Sequence, residues 1–285
     1  MLSIATPPDD ALETLAGVPE TLVIPLYMRA AETSRRDAII RDPKAAAIVA
    51  DSGYDFTTVA RAWMTQVDVA VRTELLDETV ARFLAEHPRS VVVNLGAGLD
   101  GRFERLDDGR VRWFDVDLPE VIAIRRRFFT EQERWRFVAR SLLDFGWIDD
   151  VARRPDEAVL VVAEGVLHYF PEADVRRLLA AIADRLPGAE LLMHSTSPAC
   201  VSYQPRSRLF RGFRADFAWG IHTARELEGW DSRYRLLAEW PFVDRHPRRW
   251  RWLRLARHLP VIGPELRATM KISHLRLGEP PCTRP

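Results

Sequence analysis

The sequence predicts an α/β fold built on a mostly parallel sheet with an antiparallel edge strand and a helical N-terminal lid. Three observations carry this. Residues 91–101 read Val-Val-Val-Asn-Leu-Gly-Ala-Gly-Leu-Asp-Gly, a buried strand running into a glycine turn and a helix start. Beyond that turn, strand and helix patterns alternate, as in parallel strands joined by right-handed crossovers. Before it, apolar residues recur at three- and four-residue spacing with no convincing strand, so the leading segment is helical.

Residues 1–20 are polar and proline-containing and read as frayed. Helical patterning covers 30–40 and 57–84, with Asp42–Pro43 expected to break the run. After the strand at 91, residues 111–116 form a short strand ending in acids, and a helix follows over 118–129. Residues 136–139 are a short strand. Residues 158–164 (Ala-Val-Leu-Val-Val-Ala-Glu) are a strongly buried one. A helix over 172–186 turns at Pro187–Gly188 into a strand at 190–194. Residues 198–230 mix Arg, Phe, Trp and Gly and read as an insertion over the ligand edge of the sheet. Strand patterns resume at 234–243 and 272–277, with a basic helix between them, and can form an antiparallel edge pair. The expected division is a helical cap over 1–88 and a core over 89–285, with the insertion near 198–230.

Composition narrows the function classes. Basic and acidic side chains balance at 41 each, so no global field favours nucleic acid. The local cluster over 245–257, six arginines with Trp250 and Trp252 among them, reads as a solvated basic face. Cys200 and Cys282 lie far apart and suit a reducing, cytoplasmic compartment. No apolar run reaches the roughly 18 residues needed to span a bilayer, and the N-terminus lacks the pattern of a signal peptide. The histidines are scattered without helical metal-ligand spacing, so no metal site is expected.

Gly96, Gly98 and Gly101 satisfy Gly-x-Gly-x-x-Gly, and an acid follows about 20 residues later. Glycine at 96 and 98 lets the backbone turn sharply and approach a ligand closely. Taken alone, the turn fits either a dinucleotide or S-adenosylmethionine (SAM). The long helical lead weighs against a dinucleotide domain. So does the buried strand at 158–164, which ends in a carboxylate followed by aromatics, at the edge where ligands of open α/β sheets bind.

Four ordered segments resemble the motifs of the leucine carboxyl methyltransferase family: VVNLGAGLD (92–100), WFDVDLPEV (113–121), SLLDFGW (141–147) and AEGVLHYF (163–170). ETLVIPLY (20–27) and AWGIHTAREL (218–227) resemble its bacterial branch, which includes tetracenomycin-type polyketide O-methyltransferases. The resemblance implies a Rossmann-like class I methyltransferase fold and SAM as cofactor. It places Gly96, Ala97 and Gly98 along the methionine portion and Asp117, with Asp115 as fallback, on the ribose hydroxyls. Ser141 and Leu142 fall beside the adenine, Glu164 near the ammonium, and Arg72, with Arg29 as a second basic group, on the carboxylate. The chain departs from the family where Gly101 replaces Thr and Ser141 replaces an acid that some members place at the adenine.

The expected reaction is O-methylation of a small molecule, at a carboxylate or a phenol, such as an aromatic polyketide. A carboxylate acceptor needs no general base. A phenol would benefit from one, and His168 or His222 are the candidates, with Tyr169 walling the pocket. The competing readings are an NAD-linked oxidoreductase and a non-catalytic binding protein of methyltransferase-like fold.

Overall fold

The computed structural model describes residues 18–60, 62–207, 213 and 215–279, together with Leu12. Its elements are, in order, α1 (Val23–Thr33), α2 (Pro43–Asp51), α3 (Trp63–Glu86), β1 (Ser90–Leu95), α4 (Arg102–Leu106), β2 (Arg112–Asp117) and α5 (Pro119–Phe128). Then come β3 (Trp135–Ala139), α6 (Trp147–Val151), β4 (Ala158–Ala163), α7 (Glu172–Arg185), β5 (Ala189–Thr196) and α8 (Pro198–Tyr203). The chain closes with β6 (Arg235–Pro241), α9 (Leu253–Ala256), α10 (Ile262–Thr269) and β7 (Met270–Leu277).

One sheet of seven strands runs β3-β2-β1-β4-β5-β7-β6. The first five strands in that order pair in parallel. β7 runs antiparallel to both β5 and β6, so the sheet ends in an antiparallel pair. β1 is buried along its whole length because both faces of the sheet are covered. Val92 packs into the layer that holds α1, α2, α3 and α5. Val91, Val93 and Leu95 alternate into the opposite layer with α6 and α7. Among the described residues no helix is long and apolar enough to cross a membrane.

Two local readings change. The first helix stops at Thr33, and Asp42–Pro43 begins the next one rather than merely interrupting a run. Pro43 occupies the first helical turn, where no N–H is needed, and an Asp42 carboxylate oxygen accepts the Ala45 amide at 2.9 Å. The basic stretch after β6 is not one helix either. His246 and Arg251 adopt left-handed backbone conformations, φ 45° and 53°, which interrupt it. Two of its arginines pair with the N-terminal helices: Arg249 with Glu32 and Arg245 with Glu74, at 2.8 and 2.9 Å.

Asp115, the fallback ribose ligand, is a structural group. Two residues deeper than the end of β2, its carboxylate accepts the indole N–H groups of Trp113 and Trp135 at 3.0 and 2.6 Å. It also accepts the Asn94 amide at 3.1 Å and the Arg125 guanidinium at 2.6 Å. Arg125 in turn stacks over the ring of Phe129, 4.4 Å from its centroid. Replacing Arg125 by Met leaves that carboxylate buried without its cation. Denaturant unfolding of the variant is expected to show a loss of about 3–5 kcal/mol, and a loss near zero would show that the pair is dispensable.

Candidate active site

β1 and β4 are neighbours, but the strand following β1 lies on one side of the pair and the strand following β4 on the other. Such a reversal opens a crevice at the carboxyl ends of the strands. Here the crevice is part of a cavity of about 970 Å³. Its sheet side is made by the turns after β1, β2, β3 and β4, which present Gly96–Gly98, Asp117, Ser141–Leu142 and Glu164–Gly165. The N-terminal helices contribute Asp68 and Arg72, and the segment after β5 contributes Cys200, Tyr203 and Phe217. Phe242, Trp250 and Trp252 complete an aromatic region.

The glycine turn is held from beneath. Arg125 donates to the Gly98 and Asp100 carbonyls, both at 2.8 Å, and Arg29 donates to the Leu99 carbonyl at 3.0 Å. Gly96 and Gly98 have φ of 68° and 48°, the left-handed region in which a side chain is strained. A Cβ at Gly96 would also come within 2.8 Å of Val166. The turn can therefore be built with little besides glycine at 96.

Asp117 closes β2 at the cavity wall. One of its oxygens accepts the Gly98 amide and the other the Leu118 amide, both at 2.8 Å. Each oxygen retains a further acceptor site. Burial pushes its pKa up to about 6, against the pull of those two amides. Two adjacent hydroxyls donating to the carboxylate would offset that cost, so the group fits the ribose of a nucleoside.

The charged end is a continuous ion-pair network. Arg72 Nε meets Glu164 at 2.8 Å, and Arg102 Nη2 meets the other Glu164 oxygen at 2.5 Å. Burial alone would raise the Glu164 pKa, but Arg72 and Arg102 together hold it below the usual value. Arg102 continues to Asp100 and Asp77, and Arg105 links Asp77, Asp100 and Asp42. Arg29, expected near a ligand carboxylate, lines the cavity but spends its Nε on Asp42 at 2.9 Å. A Cβ on Gly165 (φ 66°) would lie 3.3 Å from Arg72 Nη1, so the guanidinium packs directly on that backbone.

His168 and Tyr169 line the cavity, whereas His222 does not. Glu226 reaches back to the His222 and Thr223 amides at 2.9 and 3.0 Å, and Lys271 takes the His222 carbonyl at 2.6 Å. This bracing leaves the His222 side chain exposed. Burial, reinforced by Arg72, pushes the His168 pKa down to about 3, and its Nδ1 has no hydrogen-bond partner. Tyr169 is hydrogen-bonded to Thr21, and burial raises its pKa.

The sequence alone does not single out Arg102 or Asp68 at the site, and it reads His194, at a strand end, as a core or edge histidine. His194 lines the cavity with Nδ1 3.4 Å from Arg72 Nη1, and burial drives its pKa well below the usual value. Arg102 belongs to the Glu164 network. Asp68 precedes Arg72 by one helical turn, so the two share a face of α3, and that spacing was the available clue.

A sheet of this order, with a glycine turn after β1, an acid closing β2 and a carboxylate after β4, defines the class of SAM-dependent methyltransferases with a Rossmann-like core. Residues 23–183 match the model for leucine carboxyl methyltransferases, and the chain belongs to that family. It is 35% identical over 231 residues to the tetracenomycin polyketide synthesis O-methyltransferase of Streptomyces glaucescens, covering 81% of this chain and 85% of that one. It is 31% identical over 242 residues to an S-adenosyl-L-methionine-dependent methyltransferase of Gibberella zeae, covering 77% and 80%. In fold it is similar to the crystal structure of a candidate methyltransferase from Thermobifida fusca, with a TM-score of 0.59 at 18% identity, over 97% of this chain and 100% of that one. The chain is a SAM-dependent methyltransferase, and the dinucleotide reading of the glycine turn is set aside.

Asp117→Ala should weaken SAM binding by about 1–3 kcal/mol in calorimetry. Hydroxyl donors at Asp117 would bind the ionised carboxylate more strongly than the protonated one. With burial raising the group to about 6, SAM affinity should be full above about pH 7 and decline as the pH falls through that value. Asp117→Asn should flatten the decline, and a decline of equal steepness in that variant would place the titrating group elsewhere.

Proposed function

We propose that this enzyme methylates the carboxylate oxygen of a small, largely apolar acid of aromatic polyketide type. The observation that carries this reading is the state of the cavity histidines. With a pKa of about 3, His168 is neutral near pH 7 and too weak a base to draw a proton from a phenol. His194 is driven in the same direction. A carboxylate acceptor is already ionised and needs neither. The aromatic walls formed by Phe217, Phe242 and Trp250 favour a flat, apolar molecule. The polyketide O-methyltransferase among the relatives supports the same substrate class.

The cavity volume of about 970 Å³ lies at the upper end of single-ligand sites, as a cofactor and an acceptor together require. Gly96–Gly98, Asp117, Ser141, Leu142, Glu164 and Arg72 are the groups that would hold SAM. When bound, it supplies a methyl group already activated on a sulfonium centre. The protein's own contribution is alignment of the acceptor oxygen and exclusion of water, which strengthens every charge interaction around the reacting atoms. His168 acts as a neutral wall between Tyr169 and Phe217, with ring centroids 4.5 and 4.1 Å away.

The product should be a base-labile methyl ester. His168→Ala should lower kcat by well under the ~100-fold typical of a lost general base. His222→Ala should leave kcat and KM unchanged. A base-stable ether, formed at a rate that collapses in His168→Ala, would establish a phenolic acceptor instead.

A further inference from the structure

Asp68 is the one cavity-lining carboxylate that the described structure leaves without a hydrogen bond or an ion pair. Glu164 is shared between Arg72 and Arg102, Asp100 between Arg102 and Arg105, and Asp117 holds two amides. Asp68 lines the same cavity from α3. The charged groups facing it are Arg72 on its own helix and Glu164 beyond β4. Cys200 of α8 lies near enough to feel its charge. Burial outweighs the attraction of Arg72, assisted by repulsion from Glu164, and raises the Asp68 pKa to about 6. Asp68 thus lies between the Glu164 end, where the cofactor's amino-acid portion belongs, and the segment after β5 that walls the aromatic region. On the proposed reading, that is the junction at which acceptor and cofactor would meet.

Asp68 is only partly buried and has no protein partner among the described residues, so its carboxylate is free to accept a donor from a ligand. An acceptor carboxylate cannot supply one, since two anions would repel. A neutral hydroxyl can, and it costs less to bring into an aromatic chamber than a charged amine does. Building on the carboxylate reading above, we infer that Asp68 selects a hydroxylated acid, accepting a hydrogen bond from a hydroxyl that the acceptor carries beside the carboxylate to be methylated. Asp68 is on this view a specificity residue: it orients the acceptor so that the carboxylate, held apart from Asp68 by the hydroxyl, faces the methyl group. It takes no proton in the reaction.

The test uses the full-length protein with SAM and two probes, a hydroxynaphthoic acid and naphthoic acid, which lacks the hydroxyl. The wild type should bind or methylate the hydroxy acid about 10–100-fold better, the value of a hydrogen bond to a charged group. Asp68→Asn should erase most of that preference through KM, with little change for naphthoic acid and none in the dissociation constants of SAM and S-adenosylhomocysteine. Those two constants also report whether the variant is folded. In the wild type itself the preference should fade as the pH drops through about 6, where Asp68 gains a proton, so a variant that fails to fold does not remove the test. Equal handling of both acids by the wild type, failure of both to bind, or equal losses for both in Asp68→Asn would overturn the inference. So would a variant that changes the affinity for SAM but not for S-adenosylhomocysteine, because Asp68 would then serve the sulfonium. An ether product would overturn the carboxylate reading and this orientation with it, whereas an ester formed with no preference for the hydroxy acid would overturn the inference alone.

Discussion

Everything at this site depends on how a nearly side-chain-free turn is held still. Residues 96–98 offer only Ala97 as a side chain, so the turn is fixed through its backbone: Arg125 and Arg29 grip the carbonyls of Gly98, Leu99 and Asp100, and the Gly96 and Gly98 amides go to Val116 and Asp117. Those arginines are themselves anchored by Asp115 and Asp42. Buried guanidinium–carboxylate pairs of this kind contribute little net stability relative to apolar packing, yet removing one partner is severe. What they supply is geometry. The Asp42–Arg105–Asp77–Arg102–Glu164–Arg72 chain begins beside α2, passes through α3 and α4, reaches the turn after β4 and returns to α3. The helical lead is thereby tied to the sheet edge by charge as well as by apolar packing.

That network also explains why a site with so many arginines can be largely apolar elsewhere. The guanidinium groups are gathered at the charged end, where carboxylates and backbone carbonyls engage most of their donors, and the aromatic region is left to Phe217, Phe242 and Trp250. The histidines between the two regions are kept neutral by their surroundings.

Much of this was legible before any coordinates. The buried run at 91–95, the glycine turn and the acids at strand ends are local patterns whose meaning depends on chain direction and spacing. Asp115 and Asp117 could not be ranked in the same way. Both lie on one face of β2, and only the placement of Trp113 and Trp135 over the inner one decides that the outer one meets the cavity. His222 looked equivalent to His168 in the sequence, but a Thr223–Glu226 capping arrangement and Lys271, contributed by β7, turn it outward. Asp68 was missed because its significance comes from what it lacks. An acid on an amphipathic helix is unremarkable until its neighbours prove to be spoken for.

The carbonyl of His168 accepts the amides of Ala218 and Trp219, at 2.7 and 3.2 Å. The segment that walls the aromatic region is thus stitched by main-chain bonds to the turn that carries Glu164. A designer who wished to exchange this segment for one from a relative, to change which acids are accepted, could not treat it as a free module. The graft would need to keep donating N–H groups at 218 and 219, which excludes proline at both positions. The seam between interchangeable and fixed parts of this enzyme therefore runs through the middle of what looks like a single loop.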